Sequence, residues 1–222
     1  MNLSPTSRPR ALCLASVAGL AAFALAATSA GAAAPSCSRG GATILAASGK
    51  VRVVSVPNKP KNQESRRGHV LACRTTTGRR FELFFSRDFG LDLIERDQFT
   101  IVGERYIGVI RDFEGGVSES RTAATYDTFT RKKLRTSGPC DSVDTGDFSG
   151  VEDAAFLPRG GLAYACGRLR ISDAQGDREL EPAGTDVRNL AVSFNTRGFN
   201  SRLYWVVVTA GVAAEKSLDV GF

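Results

Sequence analysis

The sequence predicts an all-β chain assembled from repeated antiparallel hairpins, and three observations carry that prediction. Past residue 40 the apolar residues recur with a period of two, which places alternate side chains on opposite faces of a pleated strand. Turn-forming pairs separate the apolar runs: Thr77-Gly78, Gly115-Gly116, Gly160-Gly161, Gln175-Gly176 and Arg197-Gly198. Helical spacing is hard to find, and only 88–97 suggests one short helical turn.

The elements follow in chain order. Arg8 and Arg10 form a positive n-region, Ala11 to Ala27 is an uncharged apolar run, and small residues continue from Thr28 to Ala34. Cleavage after Ala30, Ala32 or Ala33 fits the small-x-small rule, so 1–32 is expected to be a secretory signal peptide and 33–222 the mature chain. Cys13 lies inside the apolar run, and the preceding Arg10-Ala11-Leu12 does not make a lipoprotein-type cleavage site. The mature chain is expected to be secreted or held in the cell envelope, without a transmembrane segment. Its length suits a single domain.

Within it, Phe81, Leu83 and Phe85 share one face of a strand. Leu169 and Ile171 face one way and Arg168 and Arg170 the other, and Leu190, Val192 and Phe194 lie together. Leu203-Tyr204-Trp205-Val206-Val207-Val208 is apolar on both faces, which predicts an inner strand covered on both sides. Pro57 to Gly68 is a polar excursion and Ser137 to Gly150 a Gly/Asp/Ser-rich connector, both expected as surface loops.

A strand–turn–strand phrase recurs: His69 to Phe81, Leu162 to Arg178, and a third copy ending in Thr125 to Lys132. Tyr106, Tyr164 and Tyr204 serve as landmarks, 58 and 40 residues apart, with Glu114 to Thr122 read as a polar insertion in the first interval. Val70 lies 36 residues before Tyr106. A unit of about 40–50 residues with three or four short strands has the spacing of a propeller blade, and about four such units fill the chain. The run Gly161 to Ala165, Leu169 to Asp173, Gly176 to Leu180 resembles one blade of a secreted bacterial β-propeller, and Val187 to Leu218 is similar to a degenerate second copy. That resemblance spans about residues 40–220 and implies a small propeller or a propeller-like array of hairpins. It implies no activity, because propellers serve as enzymes, binding platforms and scaffolds alike.

Charge and cysteines set the partners. The formal net charge of +6 falls to +4 when Arg8 and Arg10 leave with the signal peptide. Lys and Arg are interleaved with Asp and Glu throughout, without the concentrated basic stripe that nucleic acid requires. Cys37, Cys73, Cys140 and Cys166 remain in the mature chain, an even count that implies disulfides in an exported protein. Three pairings are possible, and Cys37–Cys73 with Cys140–Cys166 is favoured because each would staple neighbouring segments. Zinc is disfavoured by the lack of any Cys-x-x-Cys pair and by a single histidine, His69.

Five constellations resemble functional motifs, and each has a plainer reading. Asp144-Thr145-Gly146 occurs once, in a polar connector, whereas an aspartic protease needs two such carboxylates sharing a proton. Asp141, Asp144, Asp147, Glu152 and Asp153 do not follow the ligand alternation of a calcium loop. Arg131-Lys132-Lys133-Leu134-Arg135 reads first as a charged edge strand, and second as a site for an anionic polysaccharide or lipid headgroup. His69 has no Gly-x-Ser-x-Gly elbow to serve, and no phosphate-binding loop occurs. Leu218 to Phe222 ends like an outer-membrane strand, but strands such as Leu162 to Cys166 are too short for that class. The function expected is a non-catalytic extracellular or envelope binding module for an unknown cell-surface ligand, with no cofactor, no metal and no nucleic acid. The alternative is a hydrolase of cell-wall or extracellular polymer, with carboxylates such as Asp127, Glu152 or Asp173 brought together by the fold.

Overall fold

Strand follows strand in chain order, and each group of neighbours closes into a meander before the next begins. The computed structural model describes residues 37, 41–57, 68–86, 93–115, 118–138, 140, 148–194 and 201–220. The first sheet is β1 (Thr43–Ser48), β2 (Val51–Pro57), β3 (Gly68–Arg74) and β4 (Arg80–Ser86), hydrogen-bonded in that order. The second is β5 (Leu93–Val102), β6 (Tyr106–Gly115), β7 (Ser118–Asp127) and β8 (Lys132–Thr136). A short β9 (Phe148–Gly150) pairs in parallel with Glu119–Arg121 of β7. The third sheet is β10 (Asp153–Phe156), β11 (Leu162–Ala165), β12 (Leu169–Asp173) and β13 (Gly176–Glu181). The fourth is β14 (Asp186–Ser193), β15 (Ser201–Thr209) and β16 (Val212–Val220). The chain is thus all-β, and apart from β9 every pairing is antiparallel. All of these strands belong to one unit, Ala33–Phe222.

Alternation decides how the sheets meet. Val51, Val53, Val70, Ala72 and Leu83 of the first sheet pack on Ile107, Val109 and Tyr126 of the second. The opposite face of the second sheet, through Val102 and Ala123, meets Phe156, Leu162 and Tyr164 of the third. Leu169 and Ile171 of the third sheet pack on Leu203, Trp205 and Val207 of the fourth. Each fully buried Leu or Ile in these layers contributes about 1.5–3 kcal/mol. One glycine makes the second contact possible: a Cβ on Gly108 would stand 2.2 Å from Cγ of Phe156, so only a bare backbone in β6 accepts that ring. Cys37 and Cys73 lie on the outer side of the first sheet beside Val54.

Four sequence expectations are corrected. Residues 93–97 open β5 instead of forming a helical turn, while 88–92 lie outside the described residues. Their alternation continues through Phe99 and Ile101, which pack on the first sheet's core. Glu114 to Thr122 is no insertion: β6 and β7 run in continuous register from Tyr106↔Asp127 to Gly115↔Ser118. Leu203 to Val208 is the middle strand of its sheet but is fully buried on one face only. Leu203, Trp205 and Val207 are buried, whereas Tyr204, Val206 and Val208 are half-buried beside strands that place charged Arg188 and Glu215 opposite Val206. Finally, the recurring phrase mixes two positions. Tyr106, Tyr164 and Tyr204 all stand on the second strand of their sheets, but His69 to Phe81 and Thr125 to Lys132 join third strands to fourth.

Candidate functional site

The turn before β11 builds the wall of a crevice. Leu157 and Gly161 close a tight loop by a 2.9 Å backbone bond, and inside it Arg159 takes a left-handed conformation (φ 57°, ψ 21°). A non-glycine residue there costs about 1–2 kcal/mol, so the loop holds its arginine against backbone preference. Gly160, also left-handed at φ 76°, has no room for a side chain, because a Cβ would lie 2.4 Å from Leu134. Its carbonyl accepts the Thr125 hydroxyl at 2.7 Å, which fixes the loop to β7.

Around Arg159 the crevice encloses about 260 Å³ between Leu157, Pro158, the β12–β13 turn at Asp173 to Gln175, Arg178, and the end of β16 at Leu218 to Val220. That is slightly below the 300–1,000 Å³ usual for small-molecule pockets. Its acids are already partnered: Asp173 with Arg178, and Asp219 with Arg202 at 2.7 Å. Arg178 also donates to Gln175, while its buried Nε has no acceptor among the described residues. Arg135 reaches across from β8 to donate to the Asp173 carbonyl at 2.9 Å. Arg159 is exposed and makes no side-chain hydrogen bond or ion pair among the described residues. The crevice therefore offers one cation, unpaired among the described residues, beside the partly exposed Pro158 and Leu218, with the buried Leu157 and Val220 behind them.

The carboxylates proposed for hydrolysis do not share one partner. Asp127 is buried and takes a forked pair of bonds from Arg105 at 3.0 and 2.6 Å and one from the Phe129 amide at 2.8 Å. Burial pushes its pKa up, but the Arg105 fork, the Phe129 amide and the Thr130 hydroxyl outweigh that and hold it at about 2. Glu152 accepts the Gly167 amide at 3.2 Å, and Asp173 is tied to Arg178.

A different acidic pair escaped the sequence reading. Glu95 and Asp97 stand two apart on β5, hence on one face, and both contact Arg111 of β6. Arg111 Nε donates to Asp97 at 3.3 Å, and its guanidinium lies 3.8 Å over Phe84 and 4.8 Å from Phe113. Burial, then the neighbouring Glu95, raise Asp97 to about 6 against the pull of Arg111. The signal was present as Glu95-Arg96-Asp97, but read as a helical turn it puts the two acids on different faces. With a guanidinium on both carboxylates, this is an ion-pair cluster at the edge of the first buried layer.

The remaining sequence candidates sort plainly. His69 meets Glu82 at 2.9 Å and lies edge-to-face with Phe85, ring centroids 4.8 Å apart, so its partners among the described residues are a carboxylate and a ring. Lys132 to Arg135 lie on β8, which pairs with β7 alone and forms the edge of the sheet. Cys37 with Cys73 and Cys140 with Cys166 stand at disulfide distance, their Cα atoms 5.9 and 5.3 Å apart, in the favoured pairing. Asp141 and Asp147, and the Asp144-Thr145-Gly146 tripeptide between them, lie outside the described residues. Among the described residues no group of three or more His, Cys, Asp or Glu side chains is placed to hold a metal, and no helix is long and apolar enough to cross a membrane. No protein-family model, curated protein or solved structure matches the chain.

Proposed function

We propose that this chain is a non-catalytic binding module of the extracellular space or cell envelope, built as a propeller-like array of four hairpin units. Four successive meanders, each packed on the next, support the array. The observation that carries the binding reading is Arg159: a strained, exposed, unpaired cation at the mouth of a partly apolar crevice. Left-handed non-glycine residues persist where the surrounding structure holds them, and they gather at ligand sites. The crevice acids are neutralised by arginines, which suits recognition more than proton transfer. The ligand class that fits is a small anionic or partly anionic saccharide, its charge on Arg159 and an apolar ring face on the half-buried Pro158.

The test is a panel of neutral and acidic cell-wall glycans offered to the mature chain and to Arg159→Gly. Glycine relieves the left-handed strain, so the variant keeps or gains stability. At least tenfold weaker binding by that folded variant supports the reading. Equal binding by both chains, or no binding by the natural chain anywhere on the panel, overturns it.

A further inference from the structure

The turns between strands gather into one rim at one end of the first two sheets. The amide of Thr75 (β3–β4 turn) donates to the Lys50 carbonyl (β1–β2 turn) at 2.9 Å. Lys50 pairs with Glu104 of the β5–β6 turn at 3.3 Å, and Arg74 donates to the Glu104 carbonyl at 3.2 Å. The Thr128 amide of the β7–β8 turn donates to the Arg105 carbonyl at 3.0 Å. Four turns are thereby tied together by named bonds.

This rim is cationic and carries an aromatic tip. Its cations are Lys50, Arg74, Arg79, Arg105, Arg131 and Lys132, and its acids are Glu104 and the buried Asp127. Arg131 and Lys132 are exposed and make no side-chain bond among the described residues. Phe129, two residues before Arg131 on the same turn, has 60 % of its surface exposed. It is a held ring, with the Arg74 guanidinium 3.9 Å and that of Arg105 5.1 Å from its centroid. Arg74 and Arg105 are themselves anchored, to Thr128 and Asp127. The ring is therefore ordered before any partner arrives.

We propose that this rim docks on an anionic phospholipid surface, with Phe129 entering the headgroup layer and Arg131 and Lys132 meeting lipid phosphates. Guanidiniums over the ring leave its edge as the free part, which suits insertion between headgroups better than stacking of a sugar. Exposed aromatic and cationic residues side by side are the combination that binds membrane interfaces. Each cation near such a surface strengthens binding about fivefold, so Arg131 and Lys132 together account for about 25-fold. The proposal is independent of the Arg159 crevice.

Vesicles of mixed phosphatidylglycerol and phosphatidylcholine, vesicles of phosphatidylcholine alone, and a soluble anionic polysaccharide are offered to the full chain in co-sedimentation and competition assays. The expected result is binding to the mixed vesicles, little to phosphatidylcholine, and loss with added salt. Arg131→Gln with Lys132→Gln should weaken vesicle binding at least tenfold, and Phe129→Ser should do so without matching loss of salt dependence. The double charge variant leaves every described bond in place, so folding is preserved, and thermal unfolding checks it. Absence of binding to the mixed vesicles, unchanged binding in either variant, or binding of the polysaccharide alone overturns the proposal.

Discussion

Replacing Asp97 by Asn should stabilise the protein at neutral pH, although the wild-type carboxylate sits in an ion pair. Asp97 is half-buried on β5, with Glu95 and Asp112 as like charges and Arg111 as the opposing one. Burial and Glu95 win, and the pKa rises from 3.8 to about 6. At about 1.36 kcal/mol per pH unit, that rise corresponds to about 3 kcal/mol. The folded chain binds the proton more tightly than the unfolded one, so between these two values the native state holds more protons. Stability from this group therefore falls as pH rises through the window, and the full cost is present above about 6. Asparagine keeps a carbonyl oxygen for Arg111 Nε and removes the charge. The assay is urea unfolding of both chains from about pH 3 to about pH 7.5 at constant salt, read as the difference between them. Titrations elsewhere are common to both chains and cancel. The difference should move in favour of the variant by about 3 kcal/mol across the window. A difference that does not vary with pH, or one that moves against the variant, refutes the reasoning.

Asp127 should behave oppositely. Its folded pKa lies at about 2, so its contribution is fully present above 3.8 and is lost as pH falls toward 2. Asp127→Asn should cost about 2–3 kcal/mol at neutral pH, with the deficit vanishing near the acid end of a denaturation series. Gly108→Ala forces a Cβ to within 2.2 Å of Phe156, so the free energy of unfolding should drop by about 1–3 kcal/mol, and Phe156→Ala should cost less in that chain than in the natural one. Replacing Cys37 and Cys73 by serine removes a closure with a sequence separation of 36. The cost should be roughly 2–4 kcal/mol by denaturant titration, and non-reducing peptide mapping of the natural chain should recover the Cys37–Cys73 linked peptide.

Much of the scaffold is written locally in the chain. Period-two runs such as Leu169 and Ile171 against Arg168 and Arg170 read directly as half-buried strands, because the pleat makes alternation a geometric necessity. The landmark tyrosines were legible for the same reason: Tyr106, Tyr164 and Tyr204 fall on equivalent second strands. Tertiary placement was not legible. Nothing in Leu203 to Val208 says that one face meets the third sheet while the other stays half-buried. Polarity misled at Glu114 to Thr122, where the β6–β7 hairpin continues between β5 and β9 with its polar side chains in pairs such as Arg121–Asp112 across the strands. At the crevice, Arg159 reads in sequence as an ordinary turn residue, since backbone strain has no compositional signature. The Glu95–Asp97–Arg111 cluster needed the strand register, Asp97 opposite Arg111, before its chemistry could be seen.

Meander topology explains why the two candidate surfaces share an end of the molecule. In each sheet the turn after the first strand and the turn after the third fall at the same end, and the middle turn falls at the other. The β5–β6 and β7–β8 turns therefore lie together, tied by the Thr128–Arg105 bond. The β10–β11 turn joins them through Gly160, which packs on Tyr106 and Leu134, and the β12–β13 turn joins through Arg135 and the Asp173 carbonyl. The strained Arg159 and the exposed Phe129, Arg131 and Lys132 all ride on these turns. The Glu95–Asp97–Arg111 cluster lies toward the opposite ends of the same strands, in register with Phe113 and Arg111 close to the β6–β7 turn. A ligand or surface at the cation-bearing end would thus meet turns whose positions are fixed by the buried layers, while the acid-bearing end carries Asp97, raised to about 6. Charge variants at Arg131 and Lys132 should accordingly change binding with no effect on the pH dependence of unfolding, and Asp97→Asn should change that pH dependence with no effect on binding. Cross-effects between the two sets would show that the ends are coupled through the strands they share.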